Sequence, residues 1–276
     1  MKNKTRIARR LISAALLIPL AAAVVIPARI FAAATIDALG SRDPFSGLPC
    51  RPPEVLPAVP AAEAYHRYVL DPQDDKIYYV SPWQVDVSQV PPAPAAGSAV
   101  DNEDLAAVKR WQTERTEAQC EAARAQADAT YDEFFDEVSP FGNPAPGTVE
   151  TIFQKVRTDT GLTVYDQKGR YRRPRPFIRD SAITPCLARE SGYSYPSGHS
   201  TVARVFGLML SDLVPASSGT FMAYADQAGL NRVIGGVHYP SDIEAGKILG
   251  DAVYKALKQN RAFMTDMDTL RKNLKP

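Results

Sequence analysis

The chain has three histidines, and two of them stand in short polar motifs of its C-terminal half. His199 closes the run Pro196-Ser197-Gly198-His199, just before the apolar stretch Val202–Leu210. His238 lies in the segment from Asn231 to Asp242, four residues before that aspartate. Upstream, Lys168–Arg179 carries six basic residues: Lys168, Arg170, Arg172, Arg173, Arg175 and Arg179. A carboxylate beside an imidazole can accept Nδ1–H and leave Nε2 as a lone-pair nucleophile or base. Guanidinium forks and the first N–H groups of a helix suit a tetrahedral oxyanion. Taken together, these residues describe one chemistry. Lys168, Arg175, Arg232 and the helix start at Ser197 and Gly198 would bind a phosphoryl group. One histidine, oriented by Asp242, would attack it, and the other would protonate the leaving oxygen. That is phosphoryl transfer without a metal.

Each motif alone also has a plain structural reading. Ser197 is a favoured helix N-cap, with His199 then an ordinary polar residue after it. His238 and Asp242 can be a structural contact, and Pro240 between them suits a helix's first turn, which would set the pair across a loop-to-helix junction rather than on one helical turn. A basic run is most often a solvated face, and Arg170, Arg172 and Arg173 are read that way, or as charge at a substrate rim. A serine nucleophile is disfavoured because no G-x-S-x-G elbow occurs. There is no CxxC, HExxH or Cys/His cluster, which argues against a zinc site.

Helices must carry these residues. A helix-forming stretch runs from Asp101 to about Glu137, as one helix or two, and Pro140 and Gly142-Asn143-Pro144 break it. Further helices are expected over Thr148–Thr158, stopped near Gly161, over Gly198–Leu213, over Gly219–Val233, and from Pro240 to about Asn273. The fold class expected is all-α, a helical bundle. Prolines at 52, 53, 57, 60, 91, 92 and 94 make residues 35–100 an extended segment. Within it Trp83, Val85 and Val87 alternate with polar residues as a half-buried strand would, and Tyr78 and Tyr79 are expected to tack it to the core.

The N-terminus reads as a secretory signal. Five basic residues precede the apolar run Leu11–Ile26, and Ala32-Ala33-Ala34 follows. Cleavage is placed after Ala34, with Ala21–Ala23 as a second position and an uncleaved anchor as the rival reading. Six of the 32 basic residues lie in residues 1–34 with no acid, so removing them turns the net charge of +1 acidic. That argues against nucleic acid as the main partner. Of Cys50, Cys120 and Cys186, two can pair in an exported chain, and the sequence leaves open which. The domains expected are 1–34 signal, 35–100 extended segment packing on the core, and 101–276 helical domain.

The three motifs resemble the tripartite signature of the type-2 phosphatidic acid phosphatase superfamily. They are Lys168 with Arg175-Pro176, then Pro196-Ser197-Gly198-His199, then Arg232 with His238 and Asp242. The intervals are 19 residues between the first two and 31 between His199 and Asn231. "YRRPRPF" and "GYSYPSGHS" are similar to the class A bacterial non-specific acid phosphatases. The resemblance implies that His238 is the nucleophile, that Asp242 orients it, and that His199 is general acid and then base. Lys168, Arg175, Arg232, the backbone N–H groups of Ser197 and Gly198 and the Ser197 hydroxyl would hold the phosphoryl oxygens. It implies no cofactor, small soluble phosphomonoesters as substrates, a periplasmic or secreted location and no stable membrane insertion once the signal is gone. A homo-oligomer stays open. Asn231 departs from the serine usual at its position, and altered loop support is expected there. Three alternatives remain at this point: a vanadium-dependent haloperoxidase, a lipid phosphate phosphatase, and a non-enzymatic anion-binding protein.

Overall fold

The computed structural model describes residues 76–275. The segment expected to be a signal, most of the proline-rich stretch, His66 and Cys50 lie outside the described residues. Among the described residues the fold is all-α, with nine α-helices, three 3₁₀ turns and no strand.

Helices α1 (Ala99–Glu114), α2 (Glu117–Arg124) and α3 (Tyr131–Phe135) share the stretch expected to be one or two helices. The breaks come where side chains offer better caps. Thr116 with Gln119, and Thr130 with Glu133, form capping boxes that satisfy free N–H groups at each new start. The turn between α2 and α3 leaves the carbonyls of Gln126 and Ala127 outside any helix, and the site uses them.

Helix α4 spans Gly147–Tyr171 and passes straight through Gly161, where a stop was expected. One glycine costs a helix only about 1 kcal/mol relative to alanine. Burial of Val149, Ile152, Phe153, Val156 and Val164 along α4 outweighs that cost. The helix ends at Arg172, in the left-handed conformation at φ 49°. Buried Asp159, on α4, accepts the backbone N–H groups of Tyr78, Tyr79 and Val80 at 2.7–2.9 Å. Residues 78–80 are thus fastened to the bundle at the two tyrosines. The strand expected from Trp83 to Ser88 is instead a 3₁₀ turn at Pro82–Gln84, where the Gln84 side chain folds back onto Ser81. With no partner strand, the period of two carries no pairing energy, and Trp83 is 80% exposed.

After the short helix α5 (Pro176–Arg179) comes the loop 180–197, then the central helix α6 (Gly198–Leu213), buried on most sides. Helices α7 (Ser218–Ile234) and α8 (Pro240–Leu257) pack against α6. The last helix was expected to run unbroken from Pro240. Instead, the Asn260 side chain accepts from the N–H groups of Ala262 and Phe263 and starts α9 (Arg261–Lys272). The core stacks Tyr131 on Phe153 (4.2 Å) and sets Phe153 edge-on to Phe206 (4.9 Å). A disulfide joins Cys120 on α2 to Cys186 in loop 180–197.

Candidate active site

Gly236, at φ +81°, turns the chain sharply after α7. The N–H groups of Val237 and His238 both return to the Arg232 carbonyl. Pro240 then opens α8. His238 and Asp242 therefore straddle a loop-to-helix junction rather than one helical turn. Asp242 Oδ2 accepts from Tyr239 N (2.9 Å) and lies 3.1 Å from His238 Nδ1. The carboxylate holds the proton on Nδ1, so Nε2 keeps its lone pair, 3.3 Å from Arg175 Nη1. His238 is fully buried. Its burial, with Arg175 and Lys168 nearby, holds its pKa well below the usual histidine range.

The three expected cations converge on this histidine from different elements. Lys168, in the last turn of α4, donates to the Tyr193 carbonyl at 2.5 Å. Burial, then Arg175, lowers its pKa well below the ordinary lysine value. Arg175 precedes α5 and donates Nη1–H to the Val237 carbonyl (3.0 Å) and Nη2–H to Glu190 Oε2 (2.6 Å). Arg232, in the last turn of α7, pairs through Nη2 with Glu190 Oε1. Its Nε and Nη1 are buried with no hydrogen-bond partner. Two orphaned guanidinium donors beside a buried histidine call for an anion.

Ser197 caps α6, accepting from Ser200 N. Its own N–H, expected to face a phosphoryl oxygen, instead donates to the Asp242 main-chain carbonyl at 3.0 Å. That bond fastens the start of α6 to the start of α8. At Gly246 the fit is close: a Cβ there would come within 2.7 Å of the Ser197 carbonyl. His199 is buried on the first turn of α6. Its Nε2 faces the carbonyls of Gln126 (3.0 Å) and Ala127 (3.1 Å). Two acceptors fix Nε2 as the protonated nitrogen. Burial, then the nearby Arg232 cation, pushes its pKa down to about 3. Asn231 supports this wall of the site: its amide donates to the Gln126 side chain and accepts from Gln227.

Six further residues belong to the site's support. Arg173 is not a solvated charge, as its place in a basic run suggested. It is buried, and its guanidinium bridges Asp242 (2.7 Å), Asp101 (2.9 Å) and Asp104 (2.8 Å) while lying over the Tyr239 ring. Asp101 and Asp104 look in the sequence like first-turn acids of a helix. Their spacing of three, on one face of α1, was the available signal. Ser194, buried, donates to Asp242 Oδ2. Tyr195 donates to the Pro91 carbonyl (2.5 Å). Arg170 and Arg172 are exposed, as expected. Glu190 is a lone acid in a loop, and nothing in the sequence marks it.

A family profile described as the PAP2 superfamily matches residues 158–263, a span that contains every residue predicted for the site. The chain is 34% identical over 137 residues to an acid phosphatase of Zymomonas mobilis, covering 47% of this chain and 50% of that one. It is 26% identical over 204 residues to a non-specific acid phosphatase of Providencia stuartii, covering 69% and 82% of the two chains. The chain thus spans about half the length of the Zymomonas relative. Among solved structures, a transmembrane PAP2-type phosphatidylglycerolphosphate phosphatase from Bacillus subtilis aligns at a TM-score of 0.44. It is 23% identical and covers 59% of this chain and 87% of that one. All three motifs thus lie inside the span, residues 158–263, that is similar to the PAP2 superfamily.

Proposed function

We propose that the protein is an exported acid phosphatase that hydrolyses soluble phosphomonoesters through a phosphohistidine on His238. One observation carries the reading. Lys168, Arg175 and Arg232 surround a buried His238 whose Nδ1 faces Asp242, and Arg232 still has two donors to give. The similarity to proteins named acid phosphatase and non-specific acid phosphatase supports the same class.

In the first step His238 Nε2 attacks phosphorus and the P–O bond to the leaving group breaks. The ring becomes cationic, and the Asp242 carboxylate stabilises it. Lys168, Arg175, Arg232 and the helix start at Gly198 neutralise the phosphoryl oxygens, with the Ser197 hydroxyl as a further donor. His199 gives a proton to the leaving oxygen. Because Nε2–H is held by the Gln126 and Ala127 carbonyls, the mobile proton is the one on Nδ1. The neutral His199 then takes a proton from water, the oxygen attacks phosphorus, and the N–P bond breaks to release orthophosphate. Lys168, Arg175 and Arg232 carry the charge in this mechanism, so no step in it requires a metal.

The leader over residues 1–34 is the basis for a periplasmic or secreted location. Among the described residues, no helix is long and apolar enough to cross a membrane.

The test is turnover of an aryl phosphate and a phosphomonoester panel across pH, with and without EDTA. Activity is expected to survive chelation. Activity abolished by EDTA and restored by metal would overturn the metal-free mechanism. His238→Ala should yield no trapped phosphoenzyme, and a variant that still labels removes the nucleophile from this residue.

A further inference from the structure

Glu190 sits where the proposed chemistry needs a phosphoryl group. Its two carboxylate oxygens are divided between two cations: Oε2 accepts from Arg175, and Oε1 pairs with Arg232. A phosphoryl group held by the same two guanidiniums would place one oxygen on each. The same Arg175 that binds Glu190 through Nη2 reaches His238 Nε2 through Nη1. The carboxylate therefore lies one guanidinium away from the attacking atom. Asp242 is already committed to Arg173, Tyr239 and His238, so Glu190 is the carboxylate that answers Arg175 and Arg232.

We infer that Glu190 competes with the substrate's phosphoryl group for Arg175 and Arg232, and that its displacement sets how tightly phosphate binds. The inference rests on the phosphatase reading and concerns the same site. Two anions cannot share both guanidiniums without strong repulsion at this burial, so a phosphate dianion must expel the carboxylate or meet it protonated. Glu190 is the member of the cluster best placed to move. Its side chain keeps 17% of its surface exposed, against 1% and 3% for the two arginines. It belongs to loop 180–197 rather than to a helix. The loop itself is fixed on both sides of Glu190. Cys186 is bonded to Cys120 and to the Gly235 carbonyl, and the Gly192 carbonyl accepts from Arg175 Nε. Rotation of the Glu190 side chain toward solvent, not loop opening, is the motion this allows.

The titratable groups that act on Glu190 are Lys168 on α4, Arg175 before α5, Arg232 on α7, His199 on α6 and His238 between α7 and α8. The two arginines hold its carboxyl well below the usual range against the opposing effect of burial. Held as an anion below the usual glutamate range, Glu190 competes there with phosphate in its weakly charged monoanionic form.

The test measures orthophosphate binding by calorimetry, and KM and kcat for an aryl phosphate, on the full chain as wild type, Glu190→Gln and Glu190→Ala. Removing the competing charge should tighten orthophosphate binding and lower KM, by about tenfold, which corresponds to about 1.4 kcal/mol. kcat should stay level or fall as product leaves more slowly. Unchanged or weaker phosphate binding in both folded variants overturns the inference. Thermal melts decide whether each variant is folded, and the glutamine, which keeps the side-chain shape, decides the matter if the alanine is not. A wild type that neither binds orthophosphate nor turns over ester defeats the phosphatase reading instead. A wild type that does both, with variants that match it, defeats only the role of Glu190.

Discussion

At the scale of single residues, His199 separates what a proton donor needs from what its buried surroundings provide. Burial and Arg232 hold its pKa at about 3, below the ordinary 6.5. The folded protein thus refuses a proton that the unfolded chain accepts between those values. Its contribution to stability is complete above pH 6.5 and is lost progressively as pH falls toward 3. A phosphoryl dianion on Arg232 reverses the dominant electrostatic effect and favours the imidazolium. Orthophosphate should therefore move the His199 titration upward, read from its imidazole NMR signals, and should protect against acid unfolding. A titration that ignores orthophosphate would remove His199 from the proton-donor role.

At the scale of elements, the site depends on how closely α6 and α8 meet. The Ser197 N–H to Asp242 carbonyl bond and the missing side chain at Gly246 let the two helix starts touch. Gly246→Ala would place a Cβ 2.7 Å from the Ser197 carbonyl and 2.9 Å from Ser200 Cβ, both in rigid surroundings. A destabilisation of about 1–3 kcal/mol is expected from such overpacking, with aryl phosphate turnover falling more steeply than the melting temperature. Helix identity was largely legible at this scale. Gly198–Leu213 and the helix ending near Arg232 show apolar residues at helical spacing, and the structure bears them out. The errors were of termination. Gly161 did not stop α4 because burial along the whole helix outweighs one glycine, whereas Asn260 starts α9 as a separate helix through a cap invisible to periodicity.

At the scale of the whole molecule, one covalent link ties the site's loop to the bundle. Cys120 and Cys186 lie 66 residues apart in sequence. Closing a loop of that size restricts the unfolded chain by about 4 kcal/mol in the entropic account. Cys120→Ser with Cys186→Ser should lower the midpoint of urea unfolding accordingly. It should also weaken phosphate binding, since loop 180–197 carries the Tyr193 and Gly192 carbonyls that position Lys168 and Arg175. An unchanged unfolding midpoint would contradict this role. The buried Arg173 cluster works at the same scale. It joins α1, through Asp101 and Asp104, to Asp242 at the start of α8.

The sequence by itself determined the helical class and the three motifs, with His199, His238, Asp242 and the three cations as its site candidates. Those readings depend on local spacing and on residue chemistry, and both are written along the chain. Tertiary structure alone decided that Cys186 pairs with Cys120, that Arg173 is buried, that the Ser197 N–H serves Asp242, and that Glu190 spans Arg175 and Arg232. Each of these depends on contacts between residues distant in sequence, where a lone acid or one arginine in a basic run carries no periodic signal. A charge becomes part of a site only when folding strips away its water and leaves a particular partner within reach.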